Sequence, residues 1–219
     1  AQEFKIGYAP VDRLALAKFL RKKNVPPEIL EKSGLFNKNL QQGEFVSRFC
    51  GRLIIPIREK IGRVCGFNAR KLSLTPEWGD KKAPKYVNSP ETNIFKKGEL
   101  LFNHDLANKE IDEKSDFLLV EGQLDAIRCW AEGFKTVVAP QGTAFGDIQA
   151  NLLRKSNPRG VTCLLDGDSA GQKAAFEYIP ILFKAGLGSR FSTLPEGSDP
   201  DQILLDQGTS GLQDLLDQG

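Results

Sequence analysis

The sequence of 219 residues predicts an α/β fold, a parallel sheet flanked by helices, preceded by a mixed α+β, basic N-terminal subdomain. Three observations lead there. From Asp116 onward, short apolar runs alternate with helical segments of about 10–15 residues, the pattern of strand–helix–strand units. Residues 161–165, Val-Thr-Cys-Leu-Leu, form an almost unbroken apolar run, as a strand covered on both faces requires. Charge is split along the chain: residues 1–115 carry 22 Lys/Arg against 14 Asp/Glu, a balance of +8, and residues 116–219 carry 8 against 14, a balance of −6.

In the first half, residues 12–24 read as a helix with Leu14, Ala17 and Leu20 on one stripe. Pro26-Pro27 breaks it, and a second short helix runs over 28–33 until Gly34. Residues 53–57 and 63–68 read as a hairpin turning at 59–62. A polar loop over 73–91, rich in Pro, Lys and Gly, interleaves Lys81, Lys82 and Lys85 with Tyr86, which suits phosphate and base contacts. Residues 99–109 read as a helix, and 109–115 as the connection between domains. In the second half, strands are expected at 117–120, 136–139, 161–165 and 190–194. Helices are expected at 123–132, 147–155, from Ala170 to Gly186 with a kink at Pro180, at 202–206 and at 212–216.

Carboxylates stand at equivalent places in this pattern. Glu121 ends one strand, Asp166 and Asp168 end another, and Asp199 and Asp201 follow a third. Asp125 lies one helical turn beyond Glu121. Ligands collect at the C-terminal ends of strands in open α/β sheets. Carboxylates converging there require cations between them, and an all-oxygen donor set selects Mg²⁺ or Mn²⁺. The bland alternative is that Asp168, Asp125 and Asp199 are helix caps or turn residues and Asp166 is solvated.

Composition excludes several classes. No apolar run approaches a membrane span, and no signal-peptide core is present at the N-terminus. Cys50, Cys65, Cys129 and Cys163 form no Cys-x-x-Cys pair and His104 is the lone histidine, so no structural zinc site is expected. The cysteines read as buried thiols of a reducing cytoplasm. The absence of Met, with Ala1 at the start, reads as an excised fragment.

Glu121-Gly122-Gln123-Leu124-Asp125 followed by Leu165-Asp166-Gly167-Asp168-Ser169-Ala170-Gly171 resembles the TOPRIM fold of primases, topoisomerases and some nucleases. Gln141-Gly142-Thr143, Ser198-Asp199-Pro200-Asp201 and, upstream, Phe4-Lys5-Ile6-Gly7-Tyr8-Ala9-Pro10, residues 51–58, Gly66-Phe67-Asn68-Ala69-Arg70, residues 84–92 and Phe95-Lys96-Lys97-Gly98 resemble the polymerase domain of bacterial DnaG-type primases, in order and over nearly the whole chain. The sequence departs from that pattern at Cys50, where many relatives are basic, at Asn68-Ala69, and in the length of the loop over 73–83.

The resemblance implies a basic N-terminal subdomain over 1–114, a TOPRIM subdomain over 115–200 and the start of a helical C-terminal part over 201–219. It implies two or more Mg²⁺ or Mn²⁺ ions at Glu121, Asp125, Asp166, Asp168, Asp199 and Asp201, with Glu121, Asp166 and Asp168 catalytic. It implies nucleotide and template contacts from Arg52, Arg70, Lys85, Tyr86, Asn88 and Lys97. The implied activity is DNA-directed synthesis of RNA primers in the cytoplasm at the replication fork. Its implied partners are a single-stranded DNA template, nucleoside triphosphates and a replicative helicase, the last through a domain outside this sequence. A TOPRIM nuclease or topoisomerase and an inactive primase-like nucleic-acid-binding protein are the competing expectations.

Overall fold

The computed structural model describes residues 2–39, 44–77, 82–142 and 144–218. The chain forms two compact units: Ala1–Arg58 with Val64–Lys96, and Glu59–Arg63 with Lys97–Gly219.

The first unit contains β1 (Gly7–Ala9), α1 (Ala15–Lys22), α2 (Pro27–Lys32), β2 (Phe36–Asn39), β3 (Glu44–Ser47), β4 (Arg52–Arg58), β5 (Val64–Lys71) and β6 (Tyr86–Asn88). Helix α1 begins three residues after the expected start at residue 12, because the Asp12 carboxylate accepts the Leu14 N–H at 2.9 Å and holds a turn there. β4 and β5 pair antiparallel at the centre of a four-stranded sheet of order β1-β4-β5-β6. Ile55, Ile57 and Ala69 are fully buried in it. A separate β2–β3 ribbon packs under the helices through Ala17, Leu30, Phe36 and Phe45, the last two in edge contact at 5.8 Å. Neither β2 nor β3 is visible as an alternating pattern. β6 lies inside the segment expected to be loop: three residues are too few for a period, yet their pairing to β5, with Tyr86 opposite Arg70, orders them.

The second unit contains a 3-10 turn at Lys97–Glu99, α3 (His104–Ala107), β7 (Asp116–Leu119), α4 (Gln123–Ala131), β8 (Val137–Val138), α5 (Asp147–Arg154), β9 (Gly160–Leu165), α6 (Ser169–Lys184), β10 (Ser189–Thr193), α7 (Pro200–Asp206) and α8 (Gly208–Gln218). The single helix expected over 99–109 is replaced by the 3-10 turn and the short α3. Asn103 adopts a left-handed conformation (φ 65°) that no continuous helix allows, and its side-chain amide donates to the Val137 carbonyl at 2.9 Å. The segment 109–115 lies inside this unit, which begins again at Lys97. Pro180 sits within one continuous α6. No helix among the described residues is long and apolar enough to cross a membrane.

The sheet has order β10-β9-β7-β8 and is parallel throughout. β9 is buried along its whole length, which is why its sequence does not alternate. Phe117, Leu119, Cys163 and Leu182 are fully buried around it. Burial pushes the Cys129 and Cys163 thiols up to about 12. His104 is buried and stacked on Phe117 at 5.9 Å, and burial lowers its pKa to about 4, so it is neutral at pH 7.

At the N-terminal edge of the sheet, Asp116 ties three segments together. It accepts from Arg159 Nε at 2.8 Å and Nη2 at 2.7 Å, from Arg190 Nη2 at 2.7 Å and from the Thr162 hydroxyl at 3.1 Å. The bond from Arg159, aided by Arg190, holds this carboxyl below its ordinary range against the effect of burial. A depressed folded-state pKa stabilises above the unfolded carboxylate range and ceases to do so as pH falls through the folded value. Asp116→Asn is therefore expected to cost about 1–2 kcal/mol at pH 7, about 2–8 °C in Tm, with the penalty shrinking below about pH 4. Thermal melts across pH check this; an equal penalty at pH 3 and pH 7 would contradict it.

Candidate metal centre and anion cavity

β7 and β9 are hydrogen-bonded neighbours, so Glu121 and Asp166 leave the sheet side by side. The Asp166 backbone N–H donates to Glu121 Oε1 at 2.9 Å. Two glycines make this close approach possible. A Cβ on Gly171 would stand 2.2 Å from the Asp166 carbonyl oxygen and 2.9 Å from Glu121 Oε1, so no larger residue fits in this first turn of α6. A Cβ on Gly167 would stand 2.0 Å from the Pro195 carbonyl oxygen. There the loop after β9 meets the loop after β10. Gly167 N–H donates to the Ser198 carbonyl at 3.1 Å and Gly197 N–H to the Gly167 carbonyl at 3.2 Å.

This stitching sets the carboxylates. Asp168 caps α6, its Oδ1 accepting from Ala170 N at 2.9 Å and Gly171 N at 2.8 Å. Asp199 caps α7, its Oδ1 accepting from Gln202 N at 2.8 Å. Capping and metal binding do not compete here, because each cap commits one oxygen and a carboxylate has two. Asp201 turns elsewhere: its Oδ1 lies 3.3 Å from Arg128 Nε on α4.

The charges strain the site. Burial, then Glu121, Asp125, Asp199 and Asp168, push the Asp166 carboxyl up to about 7. Burial, then Asp199 and Glu121, push Asp125 up to about 6. Asp166 Oδ1 is buried with no hydrogen-bond partner. A cavity of about 20 Å³, room for one water-sized species, is lined by Asp166, Gly171, Phe191 and Thr193. Among the described residues the carboxylates are not gathered about one point; like charges without a cation between them favour separated rotamers. The orphaned oxygen, the raised pKa values and the all-oxygen donor set fit a divalent hard cation.

The first unit carries the opposite charge. A cavity of about 300 Å³ is lined by Arg13, Arg48, Arg52 and Lys82, with Asn37 and Cys50. Arg52 is 4% exposed, and its Nη1 donates to the Ala69 and Pro84 carbonyls at 3.3 and 2.9 Å. Burial lowers the pKa of Arg52 and of Arg48. Four cationic side chains gathered around one cavity make it suited to an anion. Lys82 lies in the loop whose cations were expected to contact phosphate; Arg13 and Arg48 escape the sequence reading because nothing local marks them, and the basic excess of the first half was their only signal. Nearby on the sheet, Arg70 and Lys85 stand 6.0 and 5.9 Å from the Tyr86 ring. Asn88 lies on β6 opposite Asn68. Lys97 belongs to the second unit. Lys81, and Thr143 of the expected glycine–threonine turn, lie outside the described residues.

Comparison with known proteins follows the same division. The family model for the DNA primase catalytic core, N-terminal domain, matches residues 1–108, and the Toprim-like model matches residues 118–204. The RNA polymerase domain of Mycobacterium tuberculosis primase DnaG is 34% identical, with a TM-score of 0.87 over 99% of this chain and 70% of that one. The chain belongs to the DnaG primase catalytic-core family. A DnaG primase catalytic domain solved bound to ssDNA is 32% identical, with a TM-score of 0.84 over 99% of this chain and 68% of that one. The DNA primase of Aquifex aeolicus (strain VF5) is 40% identical over 216 residues, 99% of this chain and 41% of the relative. The chain thus spans about two-fifths of that relative's length. The N-terminal match spans the positions expected to contact nucleotide and template, Arg52, Arg70, Lys85, Tyr86, Asn88 and Lys97, and the Toprim-like match spans the carboxylates expected at the rim, Glu121, Asp125, Asp166, Asp168, Asp199 and Asp201. Membership of this family implies use of divalent metal.

The raised pKa values have a direct consequence for stability. A carboxyl whose folded pKa exceeds its unfolded value favours folding at low pH, and that contribution is lost as pH rises through the folded value. In metal-free protein, Asp166→Asn is expected to raise Tm at pH 8, where the wild-type carboxyl is charged, and to leave it unchanged near pH 4. The site is half-exposed and screened, so the gain is on the order of 2 °C. Melts in a chelating buffer read this directly, and a variant that is less stable than wild type at pH 8 would contradict the crowding of charge.

Proposed function

We propose that this domain synthesises short RNA primers on single-stranded DNA by metal-dependent nucleotidyl transfer. The observation that carries this reading is the acidic rim, in which Glu121 and Asp166 are bonded side by side and Asp166 keeps one buried oxygen unpartnered. Family membership supports the reaction class, and a relative solved bound to ssDNA supports the template. The match of the first half to the primase core argues against a topoisomerase or nuclease.

The residues divide the chemistry. Glu121, Asp125, Asp166, Asp168 and Asp199 would hold Mg²⁺ or Mn²⁺, two ions or more. Such ions activate an attacking hydroxyl and stabilise a leaving phosphate oxygen. Glu121, oriented by the Asp166 N–H, offers its second oxygen either to an ion or to the proton of the attacking 3′-hydroxyl. The capped carboxylates of Asp168 and Asp199 keep fixed orientations, so little reorganisation is needed when charge develops. Arg70 and Lys85 neutralise triphosphate charge, Lys97 contacts nucleotide or template, and Tyr86, flanked by two cations, offers a face on which a base can stack. Asn88 hydrogen-bonds the nucleotide or template. Arg52, with Arg13, Arg48 and Lys82, holds template phosphate in the cationic cavity. The reaction belongs at the replication fork in the cytoplasm, with a replicative helicase engaged through a domain outside this chain.

Asp168→Asn tests the reaction cleanly, since asparagine still caps α6 while losing the charge. Templated incorporation of labelled ribonucleotides on single-stranded DNA is expected to fall by about 100-fold or more at unchanged Tm; near-wild-type incorporation would overturn the assignment. Lys82→Gln tests the cavity. Its side chain is solvent-exposed, so the fold should tolerate the change. The slope of log affinity for single-stranded DNA against log salt is expected to shallow by about 0.7, the share of one phosphate contact. An unchanged slope would remove Lys82 from the template path.

A further inference from the structure

Arg128 is assigned no role by the family match or by the rim chemistry, yet it sits where the acidic motifs meet. Asp125 and Arg128 on α4 and Glu132 at its C-cap follow at three- and four-residue spacing, so they share one side of the helix. The Arg128 guanidinium lies between two carboxylates: Nε is 3.3 Å from Asp201 Oδ1 and Nη2 is 3.4 Å from Glu132 Oε1. Nε is buried and makes no hydrogen bond, so its attraction to Asp201 is one of charge. Asp199 is the extended N-cap of α7 and Asp201 lies in its first turn. Asp199 adds to the charge felt by Asp125 and Asp166. Asp201 goes to Arg128.

We propose that Arg128 is a positioning residue that holds Asp201, and with it the first turn of α7, against α4, so that Asp199 alone of this pair serves the cation rim. Arg128 thereby withholds one carboxylate from divalent ions and keeps the site from binding them too tightly. Free of its guanidinium, Asp201, two residues from Asp199, would become available to an oxygen-rich rim already short of positive charge. This inference rests on the reading of the rim as a divalent-cation site. It makes Asp201 a residue of the acidic motif whose partner is a cation of the protein itself.

The test counts Mn²⁺ bound to the whole chain by electron paramagnetic resonance, with no substrate present. Wild type is expected to bind. Arg128→Ala is expected to tighten the weakest class of Mn²⁺ by about fivefold, the scale of one exposed charge pair. The double variant Arg128→Ala with Asp201→Asn is expected to lose that gain. Glu132→Gln, which leaves the Asp201 pair in place, is expected to match wild type. If Arg128→Ala does not fold, Asp201→Asn alone decides: unchanged Mn²⁺ binding supports the proposal, because the carboxylate was already withheld. Weaker binding in Asp201→Asn, or unchanged or weaker binding in folded Arg128→Ala, overturns it. Wild type that binds no Mn²⁺ overturns the rim reading itself, and the proposal with it.

Discussion

Everything in the second unit answers to one constraint: carboxylates are crowded at the C-terminal edge of a parallel sheet, in a volume that cannot hold their charge unaided. A buried strand delivers Asp166 to that edge, and its hydrogen-bonded neighbour delivers Glu121. Repulsion among them raises the Asp166 and Asp125 pKa values toward neutrality. The protein meets the cost in three ways. Helix N-termini take one oxygen each from Asp168 and Asp199, where the dipole favours negative charge. A backbone N–H serves Glu121. Arg128 balances Asp201. What is left over, the orphaned oxygen of Asp166 above all, is the share that a divalent cation would answer.

The glycines of the motif follow from the same crowding. Gly167 and Gly171 are steric requirements, set by carbonyl oxygens that stand where a Cβ would go. Two reciprocal backbone hydrogen bonds then lock the loops after β9 and β10 together. At the opposite edge of the sheet, Asp116 does the reverse: it gathers two arginines and a hydroxyl and is held ionised. One edge is electrostatically satisfied and supports the fold; the other is left unsatisfied, where chemistry needs it.

The parallel half was legible because its signals are physical and local. Buried strands such as 161–165 are apolar without alternation, and each is followed by a turn residue and a helix. The adjacency of Glu121 and Asp166 was legible for the same reason, since the strand ends could be counted. What could not be read depends on partners distant in sequence. β2, β3 and β6 are short strands ordered by pairing, and no three- or four-residue run announces that. The helix expected over 99–109 failed at Asn103, whose left-handed backbone is held by a hydrogen bond to Val137 thirty-four residues away. Arg13 and Arg48 look like isolated surface cations until β3 and the turn before α1 bring them to one cavity with Arg52. Asp201 reads as one of an equivalent pair with Asp199, and only the helix geometry turns it toward Arg128.

The central claim is that crowded, partly protonated carboxylates await a divalent cation. The measurement that tests it most directly is calorimetric titration of the metal-free chain with Mn²⁺ at pH 6.5, repeated in buffers of different ionisation enthalpy to count protons released. With Asp166 near 7 and Asp125 near 6, binding is expected to release about one proton. Binding without proton release, or no binding, would contradict it.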